Sequence, residues 1–283
     1  LFSDRHEPAM IFLRLALAGC ITAITLCTAA QAQTTETASA GNVSATLSVD
    51  GPGQGICGGT ATLEILRGEQ TYRSIVGEGL EAETYCVVSD LQVQDLDGNG
   101  EPEITLTTYS GGAHCCFFSL IYAYDATQNG YSPLHHFWGN GGHAMRDLDQ
   151  DGLPEFVSDD DRFAYAFTSY AGSRYPLQIR QYREGTLQNV TDQFPEQVYD
   201  HAYWLWTDYQ NLLANRPVGA ANDWSEVEQA VLAAYLADKY LLGQGEDGWH
   251  RVIAAYQWPD REDFFRKLSN FLGEAGYLDG QFE

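Results

Sequence analysis

Asp95-Leu96-Asp97-Gly98-Asn99-Gly100-Glu101-Pro102-Glu103 is followed, 52 residues on, by Asp147-Leu148-Asp149-Gln150-Asp151-Gly152-Leu153-Pro154-Glu155. Each stretch carries an oxygen-bearing side chain at positions 1, 3, 5 and 9, glycine at 6 and proline at 8. A hard cation such as Ca²⁺ takes roughly six to eight oxygens, and alternating carboxylates in a tight loop supply them from few residues. The glycine lets the backbone turn back, so that the carbonyl of position 7 faces the same centre. An EF-hand starts similarly but needs a bidentate glutamate at position 12 and helices on both sides. Here position 12 is Leu106 in one copy and Ser158 in the other. The flanks, Leu91-Gln92-Val93, Ile104-Thr105-Leu106-Thr107 and Phe156-Val157, read as strands. The loops are therefore turns of a repeated β-unit.

Outward from the loops, the β signal runs from Val43 to about Val190. Val43–Val49 and Thr60–Leu66 alternate apolar and polar residues, and Phe117–Tyr124 and Pro176–Tyr182 are further strands ending at Gln128-Asn129-Gly130 and Glu184-Gly185. Residues 43–90 are expected to hold a degenerate unit without an acidic loop. Two or three such units are too few for a complete propeller. Residues 33–42 are small and polar and read as a flexible lead-in. After Thr191 the period becomes helical. Helices are predicted over Glu196–Asn215 with Pro195 in the first turn, from a capping box at Ser225-Glu226-Val227-Glu228 to Gly243, over Glu246–Gln257 and over Asp260–Gly276. The fold class is α+β: an antiparallel, blade-like β-repeat domain over 43–190, then a helical domain over 195–283. Trp204, Trp206, Trp224, Trp249 and Trp258 lie in that tail and read first as core, with a ligand-facing aromatic shelf as the alternative.

Met10-Ile11-Phe12-Leu13-Arg14 forms a short basic start, Leu15–Ala29 an apolar stretch, and Ala30-Gln31-Ala32 a small-x-small cleavage site. Residues 1–32 are thus expected to be a signal peptide, the apolar run being shorter than a membrane span needs. Leu17-Ala18-Gly19-Cys20 offers a competing reading, lipidation of Cys20. Either way the chain is exported, as a secreted or periplasmic protein of a bacterium. Lys+Arg number 15 against 39 Asp+Glu, a net charge of −24, which excludes nucleic acid as a partner by repulsion and favours divalent cations. Beyond residue 32 the cysteines are Cys57, Cys86, Cys115 and Cys116, an even count that suits disulfides in an oxidising compartment. Separate bridges from the adjacent pair to Cys57 and Cys86 are the more ordinary pairing; a vicinal bridge is the alternative.

The acidic loops resemble the calcium loops of the FG-GAP and VCBS repeats, the propeller units of integrin α-chains and many exported bacterial proteins. The resemblance covers about residues 88–190 and implies two Ca²⁺ sites. The first would be held by Asp95, Asp97, Asn99, Glu103 and the carbonyl of Glu101, the second by Asp147, Asp149, Asp151, Glu155 and the carbonyl of Leu153. Position 9 departs from that pattern in being glutamate. Asn99 also leaves the first site one negative charge short, so the second is expected to bind more tightly.

Other residues draw notice. Ser110-Gly111-Gly112-Ala113-His114-Cys115-Cys116 offers a nucleophile, a soft-metal site or a redox pair as chemistry, and a glycine turn into a disulfide-anchored strand as structure. Export favours the structural role. His135, His136 and His143 surround Trp138-Gly139-Asn140-Gly141-Gly142 without zinc-site spacing, and Asp159-Asp160-Asp161 reads as a solvated acidic turn. There is no G-x-S-x-G elbow and no phosphate-binding glycine loop. The expected function is a calcium-binding β-repeat module that binds or scaffolds an unknown protein or glycan, with structural ions and no membrane span. The alternative is a secreted hydrolase whose cleft lies between the sheets and the tryptophan-rich helices.

Overall fold

Among the described residues, twelve strands fall into three four-stranded antiparallel meanders, and every strand neighbours the one before or after it in sequence. The computed structural model describes residues 34–50, 60–78, 87–217, 222–278 and 280. Residues 1–32, read above as a signal peptide, and Cys57 and Cys86 lie outside the described residues.

The first sheet contains β1 (Thr34–Ala40), β2 (Val43–Asp50), β3 (Thr60–Arg67) and β4 (Gln70–Ile75). The second contains β5 (Val87–Gln94), β6 (Glu103–Tyr109), β7 (Phe117–Asp125) and β8 (Gly130–Gly139). The third contains β9 (His143–Arg146), β10 (Glu155–Asp159), β11 (Leu177–Arg183) and β12 (Thr186–Asn189). The first sheet stands where a degenerate unit is expected over 43–90, but it runs from Thr34 to Ile75, and residues 87–90 belong to β5 of the second sheet. Its β1–β2 link is the two-residue turn Gly41-Asn42, where the other two sheets carry eight-residue acidic links, 95–102 and 147–154. The lead-in reading of residues 33–42 is corrected: Thr34 to Ala40 pair with Val49 to Val43 as an edge strand. Its side chains are mostly exposed, so no apolar alternation marks it in the sequence.

Strand alternation then stacks the sheets. On the second sheet Ile104, Leu106, Leu120 and Tyr122 pack with Val43, Ala45, Leu47, Leu63 and Ile65 of the first. The opposite face offers Ile121 and Trp138 to Phe156 and Tyr182 of the third sheet, and the Trp138 and Phe156 rings stack at 5.6 Å. A sheet covered on both faces explains why β6 reads as a nearly unbroken buried run. On the inner face Trp138 Nε1 donates to Ser119 Oγ at 2.8 Å.

The far face of the third sheet carries Leu177 and Ile179, which pack with Val190, Phe194 and Val198 at the start of α1 (Pro195–Asn215). Then follow α2 (Asn222–Leu241), α3 (Gly245–Ala255) and α4 (Arg261–Glu274). The sequence places the apolar positions of α2 largely on one face, but Ala230 through Ala237 are buried at every position. It is the central helix, and its four alanines let neighbours approach from all sides. The capping-box reading also changes. α2 starts before Ser225, and Glu228 instead accepts from Arg216 Nη1 at 3.2 Å and Trp258 Nε1 at 3.1 Å. Sheets and helices belong to one compact unit, 32–283. No described helix is long and apolar enough to cross a membrane.

Candidate metal centres

Both acidic loops are the first connection of their sheet, β5 to β6 and β9 to β10, so meander topology brings them to one end of the stack. They sit side by side: a Cβ added to Gly98 would meet Leu153 Cδ1 at 3.5 Å. The first loop is also tied to the first sheet, where Arg67 Nε and Nη2 donate to Glu101 at 2.6 and 2.7 Å.

Inside the loops four hydrogen bonds repeat position for position, and the first loop adds one from Gly98 N to Asp95 Oδ1 at 2.8 Å. Asp95 accepts from Gly100 N at 2.8 Å, and Asp147 from Gly152 N at 3.0 Å. Asp97 accepts from Asn99 N at 3.2 Å, and Asp149 from Asp151 N at 3.2 Å. Asn99 accepts from Glu101 N at 2.7 Å, and Asp151 from Leu153 N at 2.8 Å. The position-9 glutamates, both buried, reach back to the amide of position 2: Glu103 to Leu96 N at 2.9 Å and Glu155 to Leu148 N at 2.8 Å. Side-chain oxygens that accept from loop amides are held with further lone pairs facing the loop centre.

Three carboxylates converge in each loop. Asp95, Asp97 and Glu103 place one oxygen each within 4.8 Å of the others, and so do Asp147, Asp149 and Asp151. Oxygens bound to Ca²⁺ lie about 2.3–2.6 Å from the ion, so such a spread suits a shared cation. Glu155 departs from its counterpart. Its second oxygen accepts from Gln181 Nε2 at 3.2 Å, which turns it toward β11 and away from the aspartates. Charge is concentrated enough to be felt: burial, reinforced by Asp97 and Asp95, pushes the Glu103 carboxyl up to about 7. Burial and the three aspartates likewise raise Glu155. Carboxylates crowded and desolvated in this way are stabilised by a proton or by a cation.

The remaining sequence candidates do not converge. Cys115 and Cys116 are bridged to each other, not to separate partners. Their loop is fastened by Ser110 Oγ, which accepts from Cys116 N at 2.7 Å, and the neighbouring His114 ring lies against Tyr170 at 4.5 Å. His135 stacks on Phe118, while His136 and His143 pack against Trp138. Burial pushes both His136 and His143 down to about 4, so each is a neutral ring. No histidine joins a metal-like cluster among the described residues. Asp159-Asp160-Asp161 is not a solvated turn. Asp160 is 3% exposed and accepts from Arg162 Nη2 at 2.7 Å and Tyr277 Oη at 2.8 Å. Of the tail tryptophans, Trp206, Trp249 and Trp258 pack on the helical core, and Trp204 is exposed.

Sequence reasoning missed Arg67 and Arg180. Arg67 lies far from its loop in the chain, and only its place at the end of a strand hints at the contact. Arg180 lines a cleft of about 370 Å³ between the second and third sheets, at the end away from the acidic loops. That position is visible only once the sheets are stacked.

Comparison with known proteins overturns the FG-GAP and VCBS resemblance. The family model that matches is the sll0997 C-terminal domain, over residues 201–276, within the helical part and outside the loops. The chain is 32% identical over 227 residues to a probable thylakoid lumen protein, sll0997, of Synechocystis sp., an alignment covering 71% of this chain and 64% of that protein. It is 27% identical over 201 residues to the uncharacterized protein y4bJ of Sinorhizobium fredii, covering 69% of this chain and 29% of that one. The chain thus spans less than two thirds of either relative. No solved structure matches. The similarity is to these proteins and not to the integrin-type repeats.

Proposed function

We propose that the chain is an extracytoplasmic module whose sheets are stapled by two Ca²⁺ ions, and that it serves as a binding or scaffolding unit. One observation carries the calcium reading: two loops on different sheets share four hydrogen bonds position for position, and three carboxylates converge in each, at positions 1, 3 and 9 of the first and 1, 3 and 5 of the second. A solvated acidic turn has no need of a buried glutamate folded back onto its own amide, and both loops have one. The first site would use Asp95, Asp97, Asn99, Glu103 and the Glu101 carbonyl. The second would use Asp147, Asp149, Asp151 and the Leu153 carbonyl, with Glu155 recruited if it releases Gln181. The compartment reading rests on the leader-like residues 10–32 and on the lumenal name of the Synechocystis relative.

An ion bound only by the folded loops stabilises the fold through mass action, by about 2.7 kcal/mol per site at a free concentration of about a hundred times Kd. Millimolar Ca²⁺ is expected to raise the melting temperature of the whole chain and EDTA to lower it. The paired substitution Asp97→Asn with Asp149→Asn should abolish the difference. A melting curve identical in calcium and in EDTA sinks the proposal.

A further inference from the structure

At the end of the stack opposite the acidic loops, the cleft between the second and third sheets holds an unusual charge arrangement. Three aspartates and two arginines border it. Asp160 and Arg162 form an ion pair at 2.7 Å, and Tyr277 closes the remaining side of that carboxylate. Asp161 is held by Asn140, whose backbone N and Nδ2 donate to it at 3.0 and 2.7 Å. Its carboxylate occupies the space a side chain on residue 139 would fill: a Cβ there would lie 2.0 Å from Asp161 Cγ, and Gly139 has φ +72°.

Arg180 and Asp159 remain. Arg180 is half-buried and donates only to neutral acceptors, from Nε to Gln178 Oε1 at 3.1 Å and from Nη1 to the Leu187 carbonyl at 3.2 Å. Its guanidinium forms no ion pair among the described residues, in a chain with 39 carboxylates and 15 cationic side chains. The half-buried Asp159 carboxylate accepts no hydrogen bond from a described residue, and Gly141 leaves its Oδ2 room by lacking a side chain. One cation and one anion thus border the same cleft without an ion pair among the described residues; the opposite charges that act on them are Asp160 for Arg180 and His201 of α1 for Asp159. Beside them Phe137 is 48% exposed at the rim, and the cleft's volume falls in the range of small-ligand sites.

We propose that this cleft binds a small zwitterion of the α-amino-acid type, with its carboxylate on Arg180, its ammonium on Asp159 and an apolar side chain against Phe137. A planar guanidinium with free N–H groups suits a carboxylate. Asp159 would at the same time repel a ligand that brought a carboxylate alone. The site lies away from the calcium loops and does not depend on them.

The test is ligand-observed NMR titration of the whole chain with three probes of one shape: L-phenylalanine, L-phenylalaninamide without the carboxylate, and 3-phenylpropionate without the ammonium. L-Phenylalanine should bind at least about tenfold more tightly than either single-charge probe. Arg180→Gln should remove the advantage over the amide, and Asp159→Asn the advantage over 3-phenylpropionate. Phe137→Ala, at a position about half exposed, should weaken L-phenylalanine severalfold. The proposal fails if none of the three probes binds, if they bind equally, or if Phe137→Ala and folded Arg180→Gln leave L-phenylalanine binding unchanged.

Discussion

Position 4 of the acidic loops is Gly98 in one and Gln150 in the other, and both are left-handed, at φ +77° and +63°. Position 6 is glycine in both, at +83° and +94°. A Cβ in this region costs roughly 1–2 kcal/mol through its clash with the following carbonyl. Space around Gly152 is open, so a substitution there reports backbone strain alone. Gly152→Ala is expected to destabilise the chain by about 1 kcal/mol. Gln150→Gly should have the opposite sign and a smaller size, since glycine gives back entropy to the unfolded chain. Thermal melts of both variants decide it; equal destabilisation would contradict the shared loop conformation. The loop positions were legible because each is fixed by its immediate neighbours in sequence. The roles proposed for Asp159 and Arg180 were not, because the two residues come from different strands and border a gap between two sheets. The burial of Asp160 was equally hidden: its partners Arg162 and Tyr277 lie two and 117 residues away.

For whole elements, legibility followed apolar contrast. β2, β3, β6, β7 and β11 announce themselves, since each alternates or forms a buried run. β1, β4 and β8 do not: their faces are largely exposed, and pairing rather than burial makes them strands. α2 shows the converse limit, since a helix buried all round has no polar face to reveal its period. β1 has a further consequence. It covers the edge of β2, a strand whose alternate residues are fully buried, along the whole register from Thr34↔Val49 to Ala40↔Val43. Removing residues 34–40 would bare a row of unpaired N–H and C=O groups beside an apolar face, a template for pairing between molecules. The truncated chain is expected to self-associate at concentrations where the full one is monodisperse. Light scattering coupled to size exclusion checks this, and a truncated chain that elutes like the full one would show that β2 needs no cover.

At the scale of the molecule, one buried carboxylate ties the third sheet to two helices at once. Asp238 of α2 is fully buried; its Oδ1 accepts from Leu177 N of β11 at 3.1 Å, and its Oδ2 meets His201 Nδ1 of α1 at 2.7 Å. Three elements meet at this group, including the sheet-to-helix junction. Burial alone would push His201 down, but the bond to Asp238 and the charges of Asp238 and Asp159 outweigh it and raise the imidazole above 6.5. Complete burial raises the Asp238 carboxyl, so both groups hold their protons more tightly in the folded state. The contribution of His201 is therefore complete below pH 6.5 and fades as pH rises through its higher folded value. Asp238→Asn keeps an acceptor for Leu177 N but removes the charge. It should cost about 1–3 kcal/mol at slightly acid pH, the worth of a hydrogen bond to a charged group, and less at alkaline pH. Denaturant unfolding of both forms across that range measures the difference, and the comparison cancels every titration they share, including that of Glu103. A penalty that stays constant or grows with pH would mean that His201 is neutral in the folded protein, and that the joint is held by shape instead of by charge.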